Sequence, residues 1–66
     1  MIKLTRLNGT VILINESFIE LAEETPDTVV TMVNGHRYLV QEKLDSIVAM
    51  IKDFQRETRA SDQNKM

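Results

Sequence analysis

The 66-residue chain contains no cysteine and no tryptophan, one proline, two glycines and only three aromatic residues. Without cysteine no disulfide can form and thiolate zinc sites are excluded. The longest apolar run, Val11 to Ile14, falls far short of the roughly 20 residues that span a bilayer, so no membrane insertion is expected. Met1-Ile2-Lys3-Leu4-Thr5-Arg6 is not followed by the apolar stretch of a secretory signal, and a cytoplasmic location is expected. The net charge of −2 argues against a protein held to nucleic acid by bulk electrostatics. A chain of this size buries only about 60% of the surface its unfolded form exposes. With disulfides excluded, self-association is the open route to stability.

What the chain does have is two Asn-Gly pairs, Asn8-Gly9 and Asn34-Gly35, and they account for both glycines. Asn-Gly between β-branched, apolar runs is the strongest short-range hairpin signal, read here as a type I′ turn. Thr28 to Val33 and His36 to Val40 flank the second pair. The first joins Ile2-Lys3-Leu4-Thr5-Arg6, which alternates apolar and polar, to Val11-Ile12-Leu13-Ile14, which is apolar on both faces. Such a strand belongs at the centre of a sheet or against another subunit. Phe18 and Ile19 lie close by in sequence, and this group is the expected self-association surface.

Asn15 to Glu24 supports two readings. Ser17-Phe18-Ile19-Glu20 fits the capping box of a short helix. Ile19 to Glu23 also alternates, and it runs into Thr25-Pro26-Asp27-Thr28, where Pro26 suits the second position of a turn. The strand reading is favoured, because a helix this short is marginal on its own. From Gln41 to Arg59, Leu44, Ile47, Val48, Ile51 and Phe54 fall on one helical stripe, uninterrupted by glycine or proline. The expected architecture is a small α+β domain over residues 1–59. It has an antiparallel sheet of four to five strands, hairpins at Asn8-Gly9 and Asn34-Gly35, and one C-terminal amphipathic helix. Residues 60–66 lack periodicity and read as a disordered tail.

No residue pattern points to catalysis, a metal or a cofactor. His36 is the lone histidine and follows a turn glycine. Glu16, Glu20, Glu23, Glu24 and Asp27 form an acidic cluster with none of the glycine a calcium loop needs. Ser17, Ser46 and Ser61 lack a nucleophile elbow. Arg6, Arg37 and Lys3 make a weak basic edge with Tyr38 the one interleaved aromatic, a poor nucleic-acid signal.

Met1 to Gly9, Ile14-Asn15, Glu24-Thr25-Pro26-Asp27-Thr28-Val29-Val30-Thr31 and Val33-Asn34-Gly35 resemble the FlbD family of small flagellar proteins, which includes the swarming motility protein SwrD. The resemblance covers about residues 1–56. It departs at Glu16, where relatives often carry proline, and at Gln41-Glu42-Lys43, where the family's serine lead into the helix is missing. The resemblance implies a non-enzymatic cytoplasmic accessory of flagellar motility, acting through a motor or motor-associated partner. The alternative is a small β-rich regulator of flagellar genes that binds nucleic acid. Candidate interaction residues are Arg6, Asn8, Gly9, Pro26, Asp27 and Asn34, from the shared turns. The charged positions Glu23, Glu24, Lys52 and Arg56 complete the set.

Overall fold

A computed structural model describes residues 1–64, with side chains described for residues 1–54. The chain runs through β1 (Ile2–Thr5), β2 (Val11–Ile14), a single 3-10 turn (Glu16–Phe18), β3 (Ile19–Glu24), β4 (Thr28–Met32), β5 (Arg37–Val40) and the helix α1 (Leu44–Asn64). This is the expected small α+β architecture, with five strands. All neighbouring strands are antiparallel, in a two-stranded sheet β1-β2 and a three-stranded sheet β3-β4-β5.

A seam joins the two sheets. Arg6 bridges to Val40, the Leu7 N–H donates to the Leu39 carbonyl at 3.3 Å, and the Gln41 N–H donates to the Thr5 carbonyl at 2.7 Å. The two sheets thus meet at one corner, where Leu7 lies opposite Leu39 and Thr5 opposite Gln41. β2 pairs with β1 alone and so lies at an edge. The central place expected for Val11–Ile14 is corrected accordingly.

Both hairpins use one turn, and it is not type I′. Gly35 has φ +93° and Gly9 has φ +93°, but no non-glycine residue has positive φ, whereas type I′ needs positive φ at both central positions. In the second hairpin the Gly35 N–H donates to the Met32 carbonyl at 2.9 Å and the Met32 N–H to the His36 carbonyl at 2.8 Å. In the first, the Gly9 N–H donates to Arg6 at 2.9 Å and the Arg6 N–H to Thr10 at 2.8 Å. Each is a three-residue loop, a type I turn closed by a glycine bulge. Each asparagine folds onto its own loop: Asn8 Oδ1 accepts from the Thr10 N–H and Asn34 Oδ1 from the His36 N–H, both at 3.0 Å.

The ambiguous stretch contains both elements. Asn15, not Ser17, caps the 3-10 turn, its Oδ1 accepting from the Ser17 N–H at 3.0 Å. Ile19 then enters β3, which carries a bulge between Ile19 and Leu21. Pro26, on a cis peptide bond after Thr25, lies in the tight turn from β3 to β4.

The core is Ile2, Leu4, Ile14, Val30, Val40 and Ile47, with Ile12, Ile19, Ala22, Met32, Tyr38, Met50 and Ile51 packed around it. Burying each Leu or Ile side chain contributes about 1.5–3 kcal/mol. The helical stripe is only partly spent on this core. Ile47 is buried and Leu44 and Ile51 are half-buried, but Val48 and Phe54 remain exposed.

α1 begins at Leu44 rather than Gln41, because Gln41 and Glu42 are used otherwise. The Gln41 side chain and backbone reach the β1–β2 hairpin, and Glu42 Oε1 accepts from the Thr5 N–H at 2.9 Å. The cap comes from another strand: Glu24 Oε1 accepts from the Leu44 N–H at 2.8 Å. A carboxylate there satisfies a free amide and opposes the helix dipole. The helical backbone continues past Arg59 to Asn64. Lys65 and Met66, the end of the expected tail, lie outside the described residues.

Candidate interaction site

The β1–β5 seam brings together residues distant in sequence. It lays the Leu7-Asn8-Gly9 loop beside the start of β5, and Gln41 clamps it there. Gln41 Nε2 donates to the Arg6 carbonyl at 3.1 Å and lies 3.5 Å from the Leu7 carbonyl. Between loop and strand is an open cleft of about 250 Å³ lined by Arg6, Leu7, Asn8, Arg37, Tyr38 and Leu39. Among the described residues neither guanidinium has an ion-pair partner.

Tyr38 also lines a second, mainly apolar hollow of about 320 Å³ with Phe18, Met32, Val33 and Asn34. Phe18 is held at its rim because its carbonyl accepts from the Val33 N–H at 2.8 Å. The His36 ring meets Tyr38 edge-on, with centroids 6.5 Å apart. One end of the molecule thus presents two arginines, a tyrosine and an apolar hollow side by side.

Of the sequence-derived candidates, Arg6 and Asn8 share this cleft and Asn34 lines the adjoining hollow, while Gly9 supplies the loop bend. The others lie elsewhere. Pro26 and Asp27 form the β3–β4 turn, where the Thr25 N–H donates to the Asp27 carbonyl at 3.2 Å. Glu23 is exposed on β3, and Lys52 is exposed on α1. Glu24 is occupied as the helix cap and approaches Lys43 Nζ at 3.7 Å. The Arg56 side chain lies outside the described residues. Sequence reasoning left Leu39, Tyr38 and Arg37 out of the candidate set. The weak basic edge of Arg6, Arg37 and Lys3 with Tyr38 was the one hint of a shared surface, because the seam that creates the cleft is long-range.

Two carboxyls titrate below their ordinary value. At Glu42 burial opposes the charge more than any single contact favours it, but hydrogen bonds to Thr5 and to the residue's own backbone together outweigh the burial. At half-buried Glu16 the main cause is hydrogen bonding to the Met1 α-ammonium, 2.9 Å away. Neither group lines the Tyr38 cleft. Among the described residues no cluster of three or more His, Asp or Glu could hold a metal, and no helix is long and apolar enough to cross a membrane.

No curated protein and no solved structure matches the chain. A family model described as flagellar and swarming motility proteins matches residues 1–58, which take in both Asn-Gly hairpins, the Thr-Pro-Asp-Thr turn and the Tyr38 cleft. The chain belongs to the FlbD family of flagellar and swarming motility proteins.

Proposed function

We propose that the protein supports the flagellar motor without catalysis, as a cytoplasmic accessory that docks onto a motor or motor-associated protein through its Tyr38 end. The observation that carries this reading is the pair of guanidiniums, Arg6 and Arg37, lining one cleft with Tyr38 and free of ion pairs among the described residues. Arg and Tyr dominate interface hot spots because each joins a large contact area to fixed polar donors. The adjoining Phe18–Met32–Val33 hollow suits an apolar anchor. The complementary partner segment is acidic with one apolar side chain.

The test is swarming of a deletion strain complemented by variants, with folding checked by circular dichroism. Arg6→Glu with Arg37→Glu stays folded and loses motility support. A Lys52→Glu, Arg56→Glu pair probes the helix surface by the same readout. Full swarming by the Arg6, Arg37 variant would overturn the docking site.

The same two arginines beside an aromatic ring favour a second reading, binding of single-stranded nucleic acid. It predicts an affinity that falls linearly with log[salt], with a slope of about −0.7 per phosphate contacted. Motor docking predicts no such complex.

A further inference from the structure

β2 and β3 each pair with a neighbouring strand on one side only. An edge strand offers unpaired N–H and C=O groups to any other strand, and soluble proteins block it with charge, bulges or cover. β3 is blocked twice, by Glu20, Glu23 and Glu24 and by the bulge between Ile19 and Leu21. β2 has neither device: its sequence is Val-Ile-Leu-Ile, and its pairing with β1 is regular from Ile2↔Ile14 to Thr5↔Val11. Val11 is 58% exposed and Leu13 61% exposed.

Hydrogen-bond parity decides which residues face outward along this edge. The Arg6 N–H donates to the Thr10 carbonyl, so Arg6 and Thr10 form a hydrogen-bonded pair. Because such pairs alternate in an antiparallel ladder, Ile12 and Ile14 direct their backbone groups to β1. The groups of Val11 and Leu13 point away from β1, to the edge.

We propose that β2 pairs antiparallel with β2 of a second copy across a two-fold axis, extending the order to β1-β2-β2-β1. If both cores lie on the same side of the joined sheet, facing residues must share parity. Both outward-facing residues are used when Ile12 faces Ile12 of the second copy and Val11 faces its Leu13. That register forms two hydrogen-bonded pairs, hence four N–H···O bonds, and sets the two exposed apolar side chains of each copy against one another. No charge on β2 opposes it. The second copy is the occupant because the strand complements itself, whereas a β3 edge meeting its own copy would face acid with acid. A four-residue ladder covers less than the roughly 1,200–2,000 Å² of a stable interface, so the dimer dissociates on dilution.

The test uses the absence of native cysteine. In this register the Ile12 Cα atoms form a non-hydrogen-bonded pair about 4.5 Å apart, within disulfide reach. Two Leu13 residues are offset along the strands, beyond the roughly 7 Å limit. Ile12→Cys is expected to give a cross-linked dimer under mild oxidation, and Leu13→Cys to remain largely monomeric on non-reducing gels. Sedimentation from micromolar to millimolar concentration is expected to pass from monomer to dimer mass. Leu13→Lys, folded by circular dichroism because the side chain is exposed, is expected to stay monomeric. The proposal is overturned by a wild-type monomer throughout, by growth beyond the dimer, by preferential cross-linking at position 13, or by Leu13→Lys that still dimerises.

Discussion

The β1–β2 hairpin and the β3–β5 meander are built with the same turn and finished differently. Each closes an Asn-Gly loop with its asparagine folded back and its glycine at φ +93°. Each is fastened near the start of α1 by one carboxylate. Glu42 takes the Thr5 N–H of the hairpin, and Glu24 of the meander takes the Leu44 N–H of the helix. They diverge at their outer strands. β3 carries three glutamates, and β2 carries no charge. Where backbone geometry is the only demand, both regions meet it in the same way. Where the surroundings matter, they part, and β2 is left without the charge and the bulge that β3 carries.

Four perturbations separate the shared parts from the divergent ones. The largest acts on the core beneath both regions. Ile47 is 2% exposed, so Ile47→Asp buries a charge without a partner. It should cost several kcal/mol, read as loss of cooperative urea unfolding. Survival of either sheet's structure in that variant would show that the two regions do not depend on one core.

The turns come next. Gly9→Val and Gly35→Val force a β-branched residue to positive φ, at about 1–2 kcal/mol each. No atom lies within 4 Å of a Cβ built at either glycine, so the cost is one of backbone conformation alone. Gly35→Asn should lose clearly less, because asparagine tolerates the left-handed region. Equal thermal midpoints for Gly35→Val and Gly35→Asn would contradict the turn assignment, and unequal losses at positions 9 and 35 would show that the regions rely on their turns differently.

The fastenings are weaker. Glu24→Ala removes the helix cap and should lower stability by about 1 kcal/mol, with the loss visible as reduced helicity in the far ultraviolet. An unchanged spectrum and midpoint would mean that water replaces the carboxylate at no cost.

The smallest effect is a pH dependence of the hairpin fastening. The carboxyl of Glu42 is lowered in the folded state. Its stabilisation is therefore complete above the ordinary carboxylate value and is lost as pH falls through the lower folded value. Glu42→Gln should flatten that part of the acid limb in urea titrations at successive pH values. An acid limb of the same slope in both proteins would assign it to other carboxylates, Glu16 among them.

Much of this organisation was legible in the residues. Alternation marked β1, β-branched apolar runs around Asn34-Gly35 marked β4 and β5, and spacing marked the helix, because burial on one face imposes a period. The Asn-Gly pairs located both hairpins but not their turn type, since the same dipeptide serves a two-residue loop and a three-residue loop with a bulge. Ser17 to Glu20 looked like a helix start because the capping pattern is local. Asn15 took the cap, and pairing with β4 drew Ile19 onward into a strand. The cleft was the least legible part. Arg6 and Tyr38 had both been noticed, but they meet only because Arg6 bridges to Val40. No local pattern encodes that contact.

The same seam has a consequence for how the chain reaches its fold. Hairpins with short loops close in about 1–10 μs, so β1 can find β2, and β4 can find β5, using neighbours in sequence. β1 completes its surroundings only when β5 and Ile47 arrive, roughly forty residues later along the chain. Such distant pairings raise contact order and slow the decisive step. During synthesis, then, the hairpin made first waits with Leu4 unburied until residues 37–47 have emerged. Over that interval its apolar strand Val11–Ile14 is open to neighbouring nascent chains.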